Sequence, residues 1–309
     1  MEQKNQLILR ILLLFVFFWN ATTLVFGQEM VVKNPFFAFN SGVKSGGFDT
    51  FEQQATLLRK LGYDGVEKEG IEGYKEMQEA VEGKGLNIYT NYLKVDLDDL
   101  DQPFDPDIES IFKMVEGKPT MIWLYVVSKQ FKPSSQENDL MAIPIFQEIA
   151  DKAARYGVKI MLYPHINCWI ECAEDAIRVS EKVNRRNFGM TFNLCHFLAH
   201  SYREKIDPVK RFPELAKESM PYLFAISFNG ATATPTDDNH IWDSFIQPLG
   251  DGNYDSYLYL KTFLDLGFSG PVGLQTYGIK QPSDVHLKKS MDTWKKYMQK
   301  YAKKMLGHN

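Results

Sequence analysis

The chain has 309 residues, of which 44% are hydrophobic and 24% are charged, and its formal net charge is −4. This composition is typical of a folded globular protein and excludes an intrinsically disordered one. The slight negative net charge gives no indication of a basic surface that would bind the phosphates of a nucleic acid. Lysines recur at helical spacing in residues 288–304, and we interpret them as the solvent-exposed face of a last helix.

The N-terminus has the layout of a signal peptide. Lys4 and Arg10 precede an apolar run at residues 11–18, and small residues stand at the expected cleavage position. We therefore predict a signal peptide over residues 1–27 and a mature domain over residues 28–309. The mature protein is then periplasmic or secreted, with no membrane association after cleavage. An uncleaved anchor is the alternative, but the apolar run is shorter than the roughly 20 residues that span a bilayer.

From Pro35 onward, short apolar runs alternate with longer amphipathic stretches. The apolar runs predict eight strands, at residues 36–39, 65–67, 86–92, 121–127, 158–163, 188–192, 223–228 and 272–275. The amphipathic stretches predict helices at residues 50–61, 74–82, 143–156, 173–183, 254–266 and 284–305. Eight alternations in a chain of this length favour a closed (β/α)8 TIM barrel over an open doubly wound sheet. The first strand is followed by NSGV rather than by GxGxxG, which argues against a dinucleotide-binding fold.

Polar and aromatic side chains accumulate where the predicted strands end. In a barrel these carboxyl ends meet at the active face, together with the long loops at residues 129–138 and 230–252. Amides hydrogen-bond hydroxyl groups and aromatic rings pack on the apolar face of a sugar, whereas no arginine is present for a phosphate or carboxylate. The predicted ligand is a small neutral carbohydrate, although capping of the strand ends is the alternative role for any one asparagine. The residues predicted to bind it are Asn40, Trp123, Tyr163, Asn193, Asn229, Trp242, Gln275 and Tyr277.

Two histidines are the strongest candidates for catalytic residues. His165 and His196 follow the fifth and sixth predicted strands, so they would converge on one cavity and share a proton-transfer role or a metal. Glu67, at the end of the second strand, is the predicted carboxylate partner, and a surface charge is its alternative reading. We predict that these three residues are catalytic.

Three cysteines are present, at positions 168, 172 and 195. Export would permit a disulfide, but the odd count leaves at least one thiol outside any intrachain pair. No CxxC motif or matching histidine pair supports a structural zinc site, and we interpret Cys168, Cys172 and Cys195 as buried free thiols.

Four segments resemble motifs of the xylose-isomerase-like barrels of the sugar isomerase and epimerase type. They are LGYDGVE at residues 61–67, NLCH at 193–196, QPLGDGNYD at 247–255 and GPVGLQ at 270–275. The resemblance covers nearly the whole mature chain. It implies a TIM barrel that acts on a sugar or a sugar derivative.

The resemblance also implies one divalent metal, held by two glutamates, an aspartate and a histidine. The equivalent positions here are Tyr163, Asn193, Ser227 and Gln275, and all four depart from that pattern. Exchanging carboxylates for amides removes the anionic charge that offsets the desolvation of a divalent ion. A divalent cofactor would therefore need a relocated site that uses His165 and His196.

Three functions follow from these observations. The first is an isomerase, epimerase or related lyase that removes a proton next to a carbonyl, with His165 or His196 as the base. The second is a non-catalytic carbohydrate-binding barrel that has lost the metal site. The third is a metal-dependent nuclease for abasic DNA, which the acidic charge and the lost ligands disfavour. The sequence leaves the sugar, the direction of reaction and the oligomeric state open.

Overall fold

The computed structural model describes residues 34–44, 46–235 and 237–307, without the side chain of Leu306. The predicted signal peptide, residues 1–27, lies outside this part of the chain. Among the described residues, no helix has both the length and the apolarity that crossing a membrane requires. The unit that carries the site comprises Asn34–Met298, and the described residues after it continue the last helix.

Eight parallel strands close into a barrel in chain order, so the predicted (β/α)8 fold is confirmed. The strands are β1 (Phe36–Ala38), β2 (Gly65–Glu69), β3 (Asn87–Asp96), β4 (Met121–Val127), β5 (Ile160–Leu162), β6 (Phe188–Asn193), β7 (Leu223–Phe228) and β8 (Val272–Leu274). Pairing of β1 with β8, in the register Phe36↔Val272, closes the ring. β3 continues to Asp96 beyond its predicted end at residue 92, because it pairs with β4 along its carboxyl half.

Ten helices are found in the described residues. They are α1 (Phe51–Leu61), α2 (Tyr74–Glu82), α3 (Ile108–Val115), α4 (Asp139–Ala154), α5 (Ala173–Val183), α6 (Leu194–Arg203), α7 (Pro208–Ser219), α8 (Ile241–Phe245), α9 (Ser256–Asp265) and α10 (Ser283–Leu306). Our sequence prediction lacked α3, α6, α7 and α8. Helix α3 could have been predicted from its amphipathic pattern. Its buried face consists of Ile108, Ile111, Phe112 and Val115. α6 was hidden because it begins at the residue after β6 ends.

Aromatic side chains fill the barrel interior and form the floor below the carboxyl ends. This core cluster consists of Phe37, Phe39, Tyr89, Met121, Trp123, Met161, Tyr163 and Ala225. Gly273 leaves room for it, since a Cβ there would lie 2.7 Å from the Phe39 ring and 2.9 Å from the Phe37 ring. The three cysteines are free thiols, with Cys168 and Cys195 buried and Cys172 partly exposed.

The long loop after β7 is held by backbone hydrogen bonds at its base. The N–H of Gly230 donates to the carbonyl of Gln247 at 3.0 Å, and the N–H of Gln247 donates back at 2.8 Å. Tyr254 closes the segment by donating its N–H to Ala231 at 2.9 Å. This frame places α8, and with it Trp242, over the barrel mouth.

Gly252→Ala tests this frame. Gly252 has φ +81°, and a Cβ would lie 2.0 Å from the carbonyl oxygen of Ala231, so we expect a loss of about 3 kcal/mol or more in the free energy of unfolding. Gly267→Ala is the matched control, because Gly267 has φ +87° and no atom within 4 Å of the added Cβ. Its backbone strain alone should cost about 1 kcal/mol. Urea unfolding measures the free energy of unfolding of both variants. Equal losses would show that the loop adjusts to the added Cβ at position 252 and would contradict the prediction.

Candidate active site

A cavity of about 310 Å³ opens at the carboxyl ends of the strands, and we call it the central cavity. Eight of the predicted site residues line it: Glu67, Trp123, Tyr163, His165, His196, Trp242, Gln275 and Tyr277. Five lining residues were missed by the sequence prediction: Phe39, Ser41, Glu69, Tyr92 and Ile246. Tyr92 and Glu69 were within reach of sequence reasoning, because they end the third predicted strand and follow the second.

Three predicted ligand-binding asparagines are absent from the cavity lining, and the side chains of two of them hold neighbouring strand ends together. The Asn193 amide donates to the carbonyl of Pro164 at 3.1 Å and accepts from Ser227 Oγ at 2.8 Å. Asn229 donates to the carbonyls of Gly230 and Phe245, both at 2.6 Å. Asn40 donates its backbone N–H to Glu67, while its own buried side chain does not line the cavity. The side chains of Asn193 and Asn229 therefore bind backbone carbonyls at strand ends, as the capping alternative predicts.

His165 and His196 lie side by side, with ring centroids 4.1 Å apart and an interplanar angle of 43°. His165 Nδ1 lies 2.9 Å from the carbonyl oxygen of Ile166, which can only accept a hydrogen bond. His165 is therefore protonated on Nδ1, and Nε2 keeps a free lone pair. The N–H of Ile166 makes a long contact of 3.5 Å to His196 Nδ1, which leaves the proton of His196 on Nε2. The pair thus offers one acceptor nitrogen and one donor nitrogen.

Burial keeps both imidazoles neutral. It lowers the pKa of His165 below its usual value. It lowers the pKa of His196 much further, and the neighbouring His165 adds to that effect. Neutral His165 can accept a proton at pH 7, whereas neutral His196 can donate a hydrogen bond without carrying charge.

An ion pair between the buried carboxylate of Glu171 and the exposed guanidinium of Arg203 fixes the two histidines relative to each other. Glu171, in the loop that follows β5, accepts from both guanidinium nitrogens of Arg203 at 2.6 and 2.7 Å. The same carboxylate accepts the N–H of Asn167 at 2.7 Å. Arg203 ends α6, the helix that carries His196, so this pair ties the His165 loop to the His196 helix.

Glu67 is a buried carboxyl rather than the surface charge of the alternative reading, with 6% of its surface exposed. Burial raises its pKa to about 7, although the N–H of Asn40, donated to Oε2 at 2.9 Å, acts in the opposite direction. A carboxyl with this pKa can give or take a proton near neutral pH. It lies on β2, four positions around the ring of eight strands from β6, which precedes His196, and three positions from β5, which precedes His165, so it faces the histidines across the barrel mouth.

Aromatic rings form most of the remaining wall. Tyr163 contacts both Trp123 and Tyr92, with centroid distances of 4.9 Å, and Trp242 packs edge-on against His196 at 5.3 Å. The indole N–H of Trp123 has no hydrogen-bond partner among the described residues. Rings with a few polar groups suit a ligand with an apolar face and hydroxyl edges.

The residues at the positions that the resemblance assigns to a metal do not fit a divalent ion. Asn193 and Ser227 are hydrogen-bonded to each other. Gln275 accepts the N–H groups of Thr276 at 2.8 Å and Tyr277 at 2.9 Å, so its oxygen is also engaged. No cluster of three His, Cys, Asp or Glu side chains able to hold a metal occurs in residues 34–44, 46–235 and 237–307. A relocated site at the histidine pair therefore lacks a third ligand among them.

A family model described as xylose isomerase-like TIM barrel matches residues 47–297. The chain belongs to this family. It is 26% identical over 167 residues to the inosose isomerase of Bacillus subtilis, which covers 53% of this chain and 54% of that protein. The inosose isomerase of Bacillus velezensis is 24% identical over 197 residues, covering 62% of this chain and 64% of that protein. The chain thus spans less than two thirds of these curated relatives.

Solved structures agree with this fold. The crystal structure of the IOLI protein with a bound zinc atom has a TM-score of 0.65 at 17% identity, covering 86% of this chain and 99% of that one. The 3-keto-D-glucoside 4-epimerase of E. coli has a TM-score of 0.62 at 15% identity, covering 86% and 100%. The predicted family resemblance is confirmed.

Glu67→Gln tests the raised pKa of the buried carboxyl. The folded state binds the proton more tightly than the unfolded state, so Glu67 makes the wild type lose stability as pH rises from about 4.5 to about 7. Glutamine keeps an acceptor for Asn40 but does not titrate. The stability of the variant relative to the wild type should therefore rise by about 3 kcal/mol across this window. Urea unfolding at several pH values measures the difference, and parallel profiles would contradict the raised pKa.

Proposed function

We propose that this protein is an isomerase or epimerase that acts on a sugar or a sugar derivative by removing a proton next to a carbonyl. The observation that carries the proposal is the complementary histidine pair, His165 with a free Nε2 lone pair and His196 with an Nε2 proton, in a cavity shared with Glu67. Its relatives include inosose isomerases, and solved proteins of the same fold include L-ribulose 3-epimerase.

The reaction begins with His165. Its Nε2 takes the proton from the carbon next to the carbonyl, and the C–H electron pair forms a C=C bond while the carbonyl π pair moves to oxygen. The Nε2–H of His196 donates a hydrogen bond to that oxygen and stabilises its developing negative charge. A buried, neutral imidazole suits this role because its environment is already arranged before charge develops.

The second proton transfer distinguishes the products. Glu67 faces the histidines from the opposite wall, so a proton that it donates reaches the opposite face of the same carbon and inverts its configuration. If His165 instead returns the original proton to the former carbonyl carbon, and the hydroxyl proton of the first carbon passes to the former carbonyl oxygen, the carbonyl moves to the first carbon. We favour inversion. It requires one group that removes the proton from one face of the carbon and a second group that delivers a proton to the opposite face, and the cavity has proton-transfer groups on opposite walls.

A non-catalytic carbohydrate-binding barrel is the second candidate. The observation that favours it is the neutral, hydrogen-bonded state of Asn193, Ser227 and Gln275 at the metal positions. Such a protein would use the aromatic wall and the hydroxyl-binding groups without transferring a proton. The two candidates differ in one measurable property, the exchange of a ligand proton with solvent.

Deuterium exchange tests the proposal. The protein is incubated with ketoses and oxidised sugars in D₂O with a chelator, and proton NMR follows loss of the signal next to the carbonyl. We expect exchange by the wild type and a loss of about 100-fold or more in His165→Ala, since a general base contributes that much. His240→Ala is the matched control, an exposed histidine outside the cavity. Binding without exchange would favour the second candidate, and exchange unaffected in His165→Ala and His196→Ala would overturn the assignment.

We also propose that the protein acts outside the cytoplasm, on an unphosphorylated ligand. The support is the charged, apolar and small-residue order of residues 1–27 and a cavity wall without arginine. Full-length protein expressed in a bacterial host with a C-terminal tag should leave the cytoplasm with an N-terminus at Gln28. Cell fractionation and N-terminal sequencing check this, and an intact N-terminus in the cytoplasmic fraction would contradict it.

A further inference from the structure

A second cavity, which we call the side cavity, adjoins the central cavity. Its volume is about 440 Å³, and it lies along the carboxyl half of β3. Glu69 and Tyr92 line both cavities, so the two are neighbours separated by one layer of side chains. The proposed reaction uses the central cavity alone and leaves this space unexplained.

Stacked rings connect the two cavities. Tyr92 contacts Tyr163 in the central cavity at 4.9 Å and stacks on Tyr125 at 4.5 Å with an interplanar angle of 26°. Tyr125 lines only the side cavity, where Phe104 is a further ring. Both tyrosines are partly exposed. They form a platform on which a second ring would pack after a first ring has entered the central cavity.

The outer wall of the side cavity is a fixed part of the fold. The N–H of Asp96 donates to the carbonyl of Pro103 at 2.8 Å, and Val95 pairs with Phe104 in an antiparallel bridge. The N–H of Leu97 donates to Val127 at 3.0 Å. The chain after β3 is thereby folded back against the sheet. Backbone hydrogen bonds hold this segment in place, so the side cavity between the segment and the sheet has a fixed outer wall.

The polar groups of the side cavity suit hydroxyls. Its lining contains four carboxylates, Glu69, Asp96, Asp99 and Asp105, and one ammonium group, Lys94, which pairs with Asp96 at 3.2 Å. Among the described residues the Glu69 carboxylate has no hydrogen-bond partner, and it faces both cavities. Carboxylates accept hydrogen bonds from hydroxyl groups and repel phosphates and uronates.

We propose that the side cavity binds a second neutral sugar unit, so that the ligand is a disaccharide whose reacting ring occupies the central cavity. This inference rests on the proposed function for which ring reacts. Glu69 accepts hydroxyls at the junction of the two units, and Tyr125 supports the second ring. Gln102, an exposed amide on the outer wall, adds a donor and an acceptor.

Binding measurements test this inference without requiring turnover. Isothermal titration calorimetry compares gluco-, galacto- and manno-configured monosaccharides with their disaccharides. We expect at least one disaccharide to bind about tenfold more tightly than its monosaccharides. Tyr125→Ala and Gln102→Ala should remove that gain and leave monosaccharide affinity unchanged. Their matched controls, Tyr222→Ala and Gln130→Ala, change a partly exposed tyrosine and an exposed glutamine outside both cavities.

The outcomes separate this inference from the proposed function. If no disaccharide gains affinity over its monosaccharides, the subsite is overturned even when a monosaccharide exchanges deuterium. If a phenyl glycoside gains as much as a disaccharide and Gln102→Ala has no effect, the side cavity binds an apolar group and the second sugar is overturned. If a disaccharide gains affinity that depends on Tyr125 and Gln102 while no sugar exchanges deuterium, the subsite stands and the proposed reaction fails. Thermal unfolding of Tyr125→Ala checks that the variant folds, and Gln102→Ala, at an exposed position, gives an independent reading.

Discussion

Closure of the parallel sheet, by pairing of β1 with β8, is the constraint on which the rest of the structure depends. Every strand runs in the same direction, so all eight carboxyl ends meet at one rim, and residues far apart in sequence line a single cavity. Closure is accommodated by Gly273, which leaves space for Phe37 and Phe39 inside the ring. These rings then form the apolar floor that desolvates Glu67 and the histidines above it.

Desolvation and restraint together give the site its chemistry. Burial lowers the pKa of both histidines and raises that of Glu67, so near neutral pH each group can exchange a proton or donate a hydrogen bond without a fixed charge. The Glu171–Arg203 pair holds the loop and the helix that carry the histidines in one arrangement. Because Glu171 and Arg203 do not line the central cavity, they position the histidines without contacting a ligand there.

Neutral side chains occupy the positions that the resemblance assigns to metal ligands. Asn193, Ser227 and Gln275 satisfy one another or the backbone at the strand ends. Neutral groups in these places remove the mutual repulsion that clustered carboxylates would have without a cation. The cavity can therefore keep a buried neutral ligand site, and the proton transfer proposed for it depends on imidazole and on Glu67.

The sequence by itself determined the barrel, because alternating strands and helices are readable from periodicity, and it placed His165, His196 and Gln275 at the rim, because they follow apolar runs. Tertiary structure alone decided which polar groups face the central cavity. Glu67 is buried in the closed barrel, whereas the neighbouring charges Lys68 and Glu69 in the sequence were also consistent with a surface position. Likewise Asn193 and Asn229 turn to backbone carbonyls that only the folded chain brings near. Side-chain direction at a strand end depends on the pairing of neighbouring strands, and that pairing is long-range information.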